Sequence, residues 1–383
     1  MKLYTQSPLD VIDWRITTEC DNNCPICYAC NETKYDDLSE EQIDKIIEKL
    51  AKHNCKSICI SGGEPTKSNN FDTIMQKLYK NGFSIFLSTN GYKYMDCKDE
   101  IEQYIEKLSL PLDGYDEKSN KNNGRNDNSF QKVKEILDFY QEAPHRFPIK
   151  VSTVLTRQTC STAYIEKMAK FLAKYKISIW KIYEFIPENR GKSHKREYTA
   201  TQQRIRSVQD WIKENKSKFN FRIELVKRSS RDSAYFIIQP NGDIIIPIDE
   251  QRRGDVSEIN LGNIIKDDFE KIISDWAWKV SKENYFSNIK LRKIKEICLM
   301  DLKKLFGEDF TLEKVKDLTQ PGEFASNAKV TIKTEKSIIE NVRVLGPTRN
   351  YTQVEISKTD AFKLGINPPV RDSGDITESA KVT

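Results

Sequence analysis

Three cysteines fall within eight residues near the start of the chain. Cys20, Cys24 and Cys27 give the spacing C-x3-C-x2-C inside DWRITTECDNNCPICYAC, residues 13–30. A β-type run, 11–17, feeds this loop. Thiolates are soft donors, and thiolates packed this closely call for a soft metal or an iron–sulfur cluster. A structural zinc knuckle with Cys30 as fourth ligand is the alternative. Zinc prefers four closed ligands, commonly as two separated pairs, and no distant C-x2-C completes such a pair. The spacing therefore favours a four-iron cluster with one iron left open. That iron can bind a small molecule through an amine and a carboxylate.

A second stretch bears on the same chemistry. Residues 57–60 read as a short buried strand, followed by Ser61-Gly62-Gly63-Glu64-Pro65. Paired glycines after a strand let the backbone approach a ligand closely. The cysteine loop and this turn together resemble the radical S-adenosylmethionine (radical SAM) enzymes. That family carries an aromatic residue just before the last cysteine; here Ile26 stands there and Tyr28 follows. An apolar residue in that place can still cover the cluster. The resemblance implies a [4Fe-4S] cluster on Cys20, Cys24 and Cys27. It implies S-adenosylmethionine as cofactor, its amino group held by Gly62, Gly63, Glu64 and Pro65.

Composition sets the frame for the rest. A chain of 383 residues can bury a sizeable core and prefers more than one domain. No apolar run approaches the roughly 18 residues of a membrane span, and MKLYTQSPLD lacks the apolar core of a signal peptide. Nine cysteines without an export signal point to a reducing cytoplasm. Lys plus Arg number 62 against 57 Asp plus Glu, a balance that does not call for a nucleic-acid partner.

From 11 to about 185, strand-like and helix-like runs alternate. Strands are expected at 11–17, 57–61, 84–88, 107–112, 149–155 and 178–185, with helices at 39–53, 69–81, 97–107, 129–142 and 162–175. Helix 39–53 starts well, with Ser39 as N-cap, Gln42 three later, and Ile43, Ile46, Ile47 and Leu50 on one face. Such alternation gives an α/β fold with a parallel sheet. The resemblance makes it a partial (βα)6 barrel of TIM type, whose chemistry belongs at the C-terminal ends of the strands.

Other strand ends supply further candidates. Ser88 and Asn90 offer a hydroxyl and an amide to the cofactor, although Asn90-Gly91 also reads as a plain turn. Asp113 resembles the fourth-strand group that approaches the cofactor's ribose and carboxylate; Asp116 reads equally as an N-cap. Arg125, in a glycine-containing loop, is a candidate for a substrate anion. In the sixth strand Lys181 and Tyr183 share one face, which we place inward, towards substrate. The layout is also similar to the nucleotide-modifying viperin branch of the family, in Asp116-Glu117, Gly124-Arg125 and Trp180-Lys181. This raises a nucleotide as substrate.

Residues 190–232 are charged, from the run Arg190 to Arg196 through a helix near 201–218 to Lys227, Arg228 and Arg231, and read as a solvated face, or as a lip for an anionic substrate. Residues 233–248 read as a hairpin turning at Pro240-Asn241-Gly242-Asp243, followed by a helix at 266–280. Many relatives carry an extra cluster domain here, but 233–290 hold no cysteine, so no auxiliary cluster is expected.

From Asp301 the text changes character. It resembles the first half of the phosphotransacylases of the propanediol-utilisation type. The carrying motifs are Leu318-Thr319-Gln320-Pro321-Gly322, Val342-Arg343-Val344-Leu345-Gly346-Pro347, Gln353-Val354-Glu355 and Val370-Arg371-Asp372-Ser373-Gly374. Strands are expected near 328–334, 337–345 and 351–356, with a helix from Thr359. That family binds zinc through histidines and moves an acyl group between coenzyme A and phosphate. Its His-x-His pair is replaced here by Ile294-Lys295-Glu296, and no histidine follows His194. The family also continues into a second half beyond the point where this chain stops. The expectation is a half-module without acyl transfer, in which Arg371 matches a phosphate-binding arginine and could hold an anion.

The sequence thus divides as 1–232, a radical SAM partial barrel; 233–297, its extension; and 298–383, the phosphotransacylase-like half-module. The expected activity is reductive cleavage of S-adenosylmethionine to a 5′-deoxyadenosyl radical. The substrate would be a small molecule, nucleotide or peptide, and the electron donor a flavodoxin or ferredoxin. The rival reading is a non-catalytic iron–sulfur sensor or binding module.

Overall fold

The structure, a computed structural model, describes residues 11–29, 33–53, 55, 57–143, 147–231, 235–250 and 255–279, and beyond these only short strands between 298 and 382. The chain divides into two compact units: residues 1–144 with 149–292, and residues 145–148 with 293–383.

The first unit is built on one ten-stranded sheet. Its strands are β1 (Val11–Arg15), β2 (Ser57–Ser61), β3 (Ser84–Ser88), β4 (Ile105–Pro111), β5 (Ile149–Leu155), β6 (Ile179–Glu184), β7 (Arg222–Val226), β8 (Ile237–Ile238), β9 (Asp243–Glu250) and β10 (Asp255–Asn263). The order is β10-β9-β8-β1-β2-β3-β4-β5-β6-β7. Strands β1 to β7 run parallel in chain order, β8 adds in parallel to the free side of β1, and β9 and β10 fold back antiparallel. This is the parallel-dominated α/β sheet that the alternation implies, in the partial-barrel order that the resemblance implies.

The crossovers are helical: α1 (Glu40–Lys52), α2 (Phe71–Lys80), α3 (Lys98–Glu102), α4 (Glu117–Asn122), α5 (Ser129–Glu142) and α6 (Thr162–Leu172). Then come α7 (Arg190–Ser193), α8 (Lys195–Tyr198), α9 (Gln202–Asn215) and α10 (Phe269–Lys279). Helix α1 begins with the expected capping box, in which the Ser39 hydroxyl accepts from the Gln42 N–H and the Gln42 side chain accepts from the Ser39 N–H. It buries Ile43, Ile46, Ile47 and Leu50.

Strand alternation gives the sheet two unlike faces. One carries Ile12, Trp14, Ile58, Ile60, Leu87, Leu108, Leu110, Val151, Trp180 and Ile182, all but inaccessible to solvent. Helices cover it: a Cβ on Gly91 would stand 2.9 Å from Ile136 of α5 and in ordinary contact with Val133 of α5 and Leu110 of β4. Right-handed crossovers bring the other helices to the same side. The opposite face carries Asp13, Arg15, Cys59, Ser61, Phe86, Ser88, Lys107, Ser109, Lys150, Ser152, Lys181 and Glu224 in matching register.

Two elements differ from expectation. The helix expected over 97–107 spans only Lys98–Glu102, and β4 begins at Ile105. Ile105, Leu108 and Leu110 fit the apolar face, and parallel pairing with β3 outweighs the helical pattern. Strand β7 was not foreseen, because Arg222 and Glu224 make it look like part of the charged run; its Ile223 and Val226 are buried. The expected hairpin is present as β8 and β9, turning through Gly242 at φ 85°.

The second unit carries a five-stranded antiparallel sheet. Its order is β11 (Cys298–Asp301), β15 (Gln353–Ile356), β14 (Ile338–Val344), β13 (Lys329–Lys333) and β12 (Leu312–Lys314). A separate pair joins β16 (Ile366–Asn367) to β17 (Lys381–Val382). The three strands expected here are present. The helix expected from Thr359, the Leu318–Gly322 motif and Arg371 lie outside the described residues. Among the described residues, no helix is long and apolar enough to cross a membrane.

Candidate functional site

The cysteine loop and the glycine turn are stitched together, backbone to backbone. Strand pairing between β1 and β2 continues past their ends: Ile16 N–H donates to Ser61 O at 2.9 Å, Gly63 N–H to Thr17 O at 2.8 Å, and Glu64 N–H to Glu19 O at 2.7 Å. This pairing explains the glycines. A Cβ on Gly62 would stand 2.3 Å from Thr17 O, and one on Gly63 would stand 2.1 Å from Glu19 O. Gly62 also adopts φ 145°, which other residues rarely reach. The paired glycines thus bring the turn close to the cysteine loop.

Glu64 is completely buried, and its carboxylate is the hub of this end of the barrel. It accepts from Thr66 N–H at 3.2 Å, the Thr66 hydroxyl at 2.9 Å, the Thr89 hydroxyl at 2.7 Å and Asn90 N–H at 2.5 Å. Burial pushes its pKa up, and these donors oppose the shift. The Ser88–Gly91 segment is thus more than a turn: Thr89 and Asn90 lock the end of β3 to the turn after β2. Asn90 also directs its Nδ2 at Cys20 Sγ, 3.9 Å away.

A second anchor comes from the fourth strand end. Asp113, fully buried, pairs with Arg125 Nε and accepts from Val154 N–H at 2.5 Å. Arg125 in turn donates from Nη1 to Cys24 Sγ at 3.7 Å. Burial raises the Cys24 pKa, the Arg125 charge opposes the rise, and Cys27, Asp113 and Cys20 add to it. The candidates Asp113 and Arg125 therefore act as one buried unit that sets a positive charge against a cysteine sulfur. Asp116 is an N-cap, its carboxylate accepting from Ser119 N–H at 2.7 Å.

The loop is also strapped from both sides. Asn126 donates to Asp21 O at 3.3 Å and accepts from Asn23 N–H at 3.3 Å. Asn189, at φ 49°, donates to Tyr28 O at 2.6 Å, and Arg190 donates to Asn22 O at 3.2 Å. The charged run was read as solvated or as a substrate lip; its first residue instead ties down the cysteine loop. Ile26 packs with Cys24, Phe185 and Tyr198, with Cys27 and Val154 against them. This is the apolar cover that the missing aromatic would otherwise provide.

Lys181 and Tyr183 lie on the polar face, in register with Ser152 and Val154. Lys181 is buried, its Nζ 3.6 Å from Glu224 Oε2, while Trp180 on the other face donates to Thr153 Oγ1 at 2.8 Å. Sequence reasoning missed Glu224, Asn126, Asn189 and Arg190, because their partners lie far along the chain.

The donor set suits an iron–sulfur cluster. Cys20 receives Asn22 N–H at 3.4 Å and faces the Asn90 amide, and Cys24 receives Arg125. Hydrogen bonds to sulfur are what cluster thiolates use to tune their charge. Among the described residues, no three His, Cys, Asp or Glu converge as one bound metal ion requires. A four-iron cluster does not require it, since each cysteine holds a different iron. Cys30 lies outside the described residues.

Comparison with known proteins follows the same division. The model of the Radical SAM superfamily matches residues 14–172, and that of phosphate propanoyltransferase matches residues 292–383. Among solved structures, the chain is similar to Streptococcus suis SuiB bound to S-adenosylmethionine, with a TM-score of 0.53 and 16% identity, covering 74% of this chain and 68% of that one. It is similar to anSMEcpe with bound AdoMet and the Kp18Cys peptide, with a TM-score of 0.53 and 16% identity, covering 72% and 83%. Likeness at this identity shows the fold. The curated relatives match the C-terminal part. The phosphate propanoyltransferase of Thermotoga maritima is 63% identical over 76 residues, 20% of this chain and 36% of that protein. That of Clostridioides difficile is 42% identical over 125 residues, 32% of this chain and 58% of that protein. The chain thus spans between about a third and three-fifths of the length of these relatives. It joins a radical SAM superfamily domain, residues 14–172, to a segment of the phosphate propanoyltransferase family, residues 292–383.

Proposed function

We propose that this chain is a radical SAM enzyme whose C-terminal segment has no acyltransferase activity of its own. Cys20, Cys24 and Cys27 would hold a [4Fe-4S] cluster. Gly62, Gly63, Glu64 and Pro65, with Ser88, Asn90 and Asp113, would frame the S-adenosylmethionine site. The chemistry the loaded site would supply is one-electron reductive cleavage of S-adenosylmethionine, to methionine and a 5′-deoxyadenosyl group that would take a hydrogen atom from the substrate. The protein's own residues bind, orient and exclude water.

The observation that carries this reading is the backbone stitching of Ser61–Glu64 to Ile16–Glu19. It sets the start of the cysteine loop against the turn after β2, and Asn90, held by Glu64, and Arg125 reach Cys20 and Cys24. Glu64 would act through Asn90 and Thr89 as a positioning residue, since its carboxylate is already filled by protein donors. A small molecule, nucleotide or peptide is the proposed substrate class; the peptide-bound fold relatives support a peptide. Lys181 and Tyr183, on the polar face, are proposed to face it. A flavodoxin or ferredoxin in a reducing cytoplasm would supply the electron. We retain the division into 1–232, 233–297 and 298–383 as a proposal.

For the tail, Ile294 and Glu296 stand where the related family carries histidines, and no imidazole follows in the chain. Neither side chain reproduces a neutral nitrogen donor for zinc. Arg371 would bind at most an anion. Anaerobic reconstitution with iron and sulfide, followed by dithionite and S-adenosylmethionine, tests the main reading. Formation of 5′-deoxyadenosine is expected. Failure of the reconstituted protein to bind S-adenosylmethionine would favour the sensor.

A further inference from the structure

The polar face of the sheet holds one level of unusual composition. Across it, Arg15 of β1 pairs in register with Ser61 of β2, Ser88 of β3 pairs with Ser109 of β4, and Ser109 pairs with Lys150 of β5. Ser61 and Ser88 directly follow the paired Ile60 and Leu87. Three serines on consecutive strands are flanked by a cation at each end. Small side chains stand here where a barrel interior is normally filled by bulky ones, and the Ser109 hydroxyl, buried, lies 3.4 Å from that of Ser152. Ser61 and Ser88 are only half-buried.

Arg15 is the last residue of β1, directly before the cysteine loop, and is 4% exposed. Its guanidinium carbon lies 5.2 Å from the Tyr28 ring centroid, one residue past Cys27. It faces Glu258 of β10, with Nη1 and Oε1 3.6 Å apart. Among the described residues, neither of these two buried atoms makes a hydrogen bond. A buried guanidinium–carboxylate pair normally closes to about 2.8 Å with aligned donors, because leaving either group unsatisfied is costly. At the other end, Lys150 Nζ lies 5.9 Å from the Tyr183 ring centroid. Tyr183 is nearer the C-terminal strand ends, so the lysine leans towards that end of the sheet.

We propose that Arg15 and Lys150, across this serine row, bind an anionic group of the substrate, a carboxylate or a phosphoryl group. Arg15 exchanges its open contact with Glu258 for two-pronged hydrogen bonds to that group. The substrate is thereby seated directly beneath the cysteine loop. This inference deepens the radical SAM reading by assigning the substrate's charge.

Calorimetric titration of the reconstituted full-length protein at low salt, with S-adenosylmethionine already saturating, tests it. The probes are inorganic phosphate in one arm and glutarate in the other; the tighter arm identifies the group. Arg15→Gln should weaken the preferred probe about tenfold or more, as loss of a charged hydrogen-bond pair does, with Arg15→Lys intermediate. Lys150→Met, at a half-buried position, should weaken it less. Glu258→Gln should tighten it, because the competing carboxylate is gone; a merely structural pair gives no such gain. Affinity for S-adenosylmethionine, titrated alone, should not change in any variant. The proposal is overturned if neither probe binds the wild type, if Glu258→Gln does not tighten binding, or if a folded Arg15→Gln variant binds the probe normally. It is equally overturned if Arg15→Gln weakens S-adenosylmethionine itself, which would place Arg15 in the cofactor site. If the wild type binds no S-adenosylmethionine, the radical SAM reading fails by itself, and the probe titrations, repeated without it, still decide the role of Arg15.

Discussion

The two ends of this chain present opposite cases. The radical SAM region is only 16% identical to the solved structures it resembles, yet its three cysteines, its Gly-Gly-Glu-Pro turn and their supporting contacts are all in place. The C-terminal segment reaches 63% identity to a phosphate propanoyltransferase over 76 residues, yet Ile294 and Glu296 occupy the expected histidine positions. Most positions in a fold answer to packing, and they set overall identity. Activity depends on a few side chains of specific chemistry, and a segment can keep the first while losing the second.

The largest effect separating the two regions should come from the cysteines. Cys20→Ala, Cys24→Ala or Cys27→Ala should each abolish the cluster, read as loss of iron and of charge-transfer absorbance. Cys30→Ala should retain about four irons per chain. Equal loss with Cys30→Ala would show that the ligand set is wrong.

Next in size is the anchor behind the loop. Asp113→Ala leaves the Arg125 charge buried without its partner and should destabilise the first unit by about 3–5 kcal/mol in denaturant unfolding. Asp113→Asn, which keeps a hydrogen-bond acceptor, should cost less. If both are neutral, Arg125 finds its support elsewhere. Gly63→Ala should cost about 1–3 kcal/mol as an overpacked contact, because its Cβ meets Glu19 O. It should also loosen the cysteine loop, seen as faster iron loss to a chelator. Unchanged iron retention would show that the stitching does not hold the loop.

The smallest effect is expected from the tail. A chain ending at Lys295 should keep its cluster and its cleavage of S-adenosylmethionine. Loss of solubility alone would show only that the tail covers apolar surface. Restoring histidines by Ile294→His with Glu296→His should raise zinc binding above that of the wild type. Zinc binding equal to wild type would mean that more than these two side chains has been lost.

Much of the fold was legible because it depends on local periodicity. Six strands and helices α1, α5 and α6 follow from alternation and caps, such as Ser39 with Gln42. Strand β7 was hidden because an edge strand with Arg222 and Glu224 on one face carries the same composition as a solvated loop. The cysteines and the glycine turn were legible because their chemistry is local. Their supports were not. Arg125 reaches Cys24 across 101 residues, and Asn189 reaches Tyr28 across 161. No sequence period encodes such a contact. Sequence alone therefore shows Arg125 as a loop cation and Arg190 as part of a charged run, without these partners. Glu64 was identified by motif, but its saturation by Thr66, Thr89 and Asn90 could not be.

One sample can put both halves of the comparison to the test. Purified full-length protein, reconstituted anaerobically and supplied with zinc, is divided in two. One portion receives dithionite and S-adenosylmethionine, and the other receives propanoyl-CoA and phosphate. The products expected are 5′-deoxyadenosine in the first and no acyl phosphate in the second. Zinc-dependent acyl phosphate together with intact S-adenosylmethionine would contradict the assignment of activity to the cysteine loop and of inactivity to the tail.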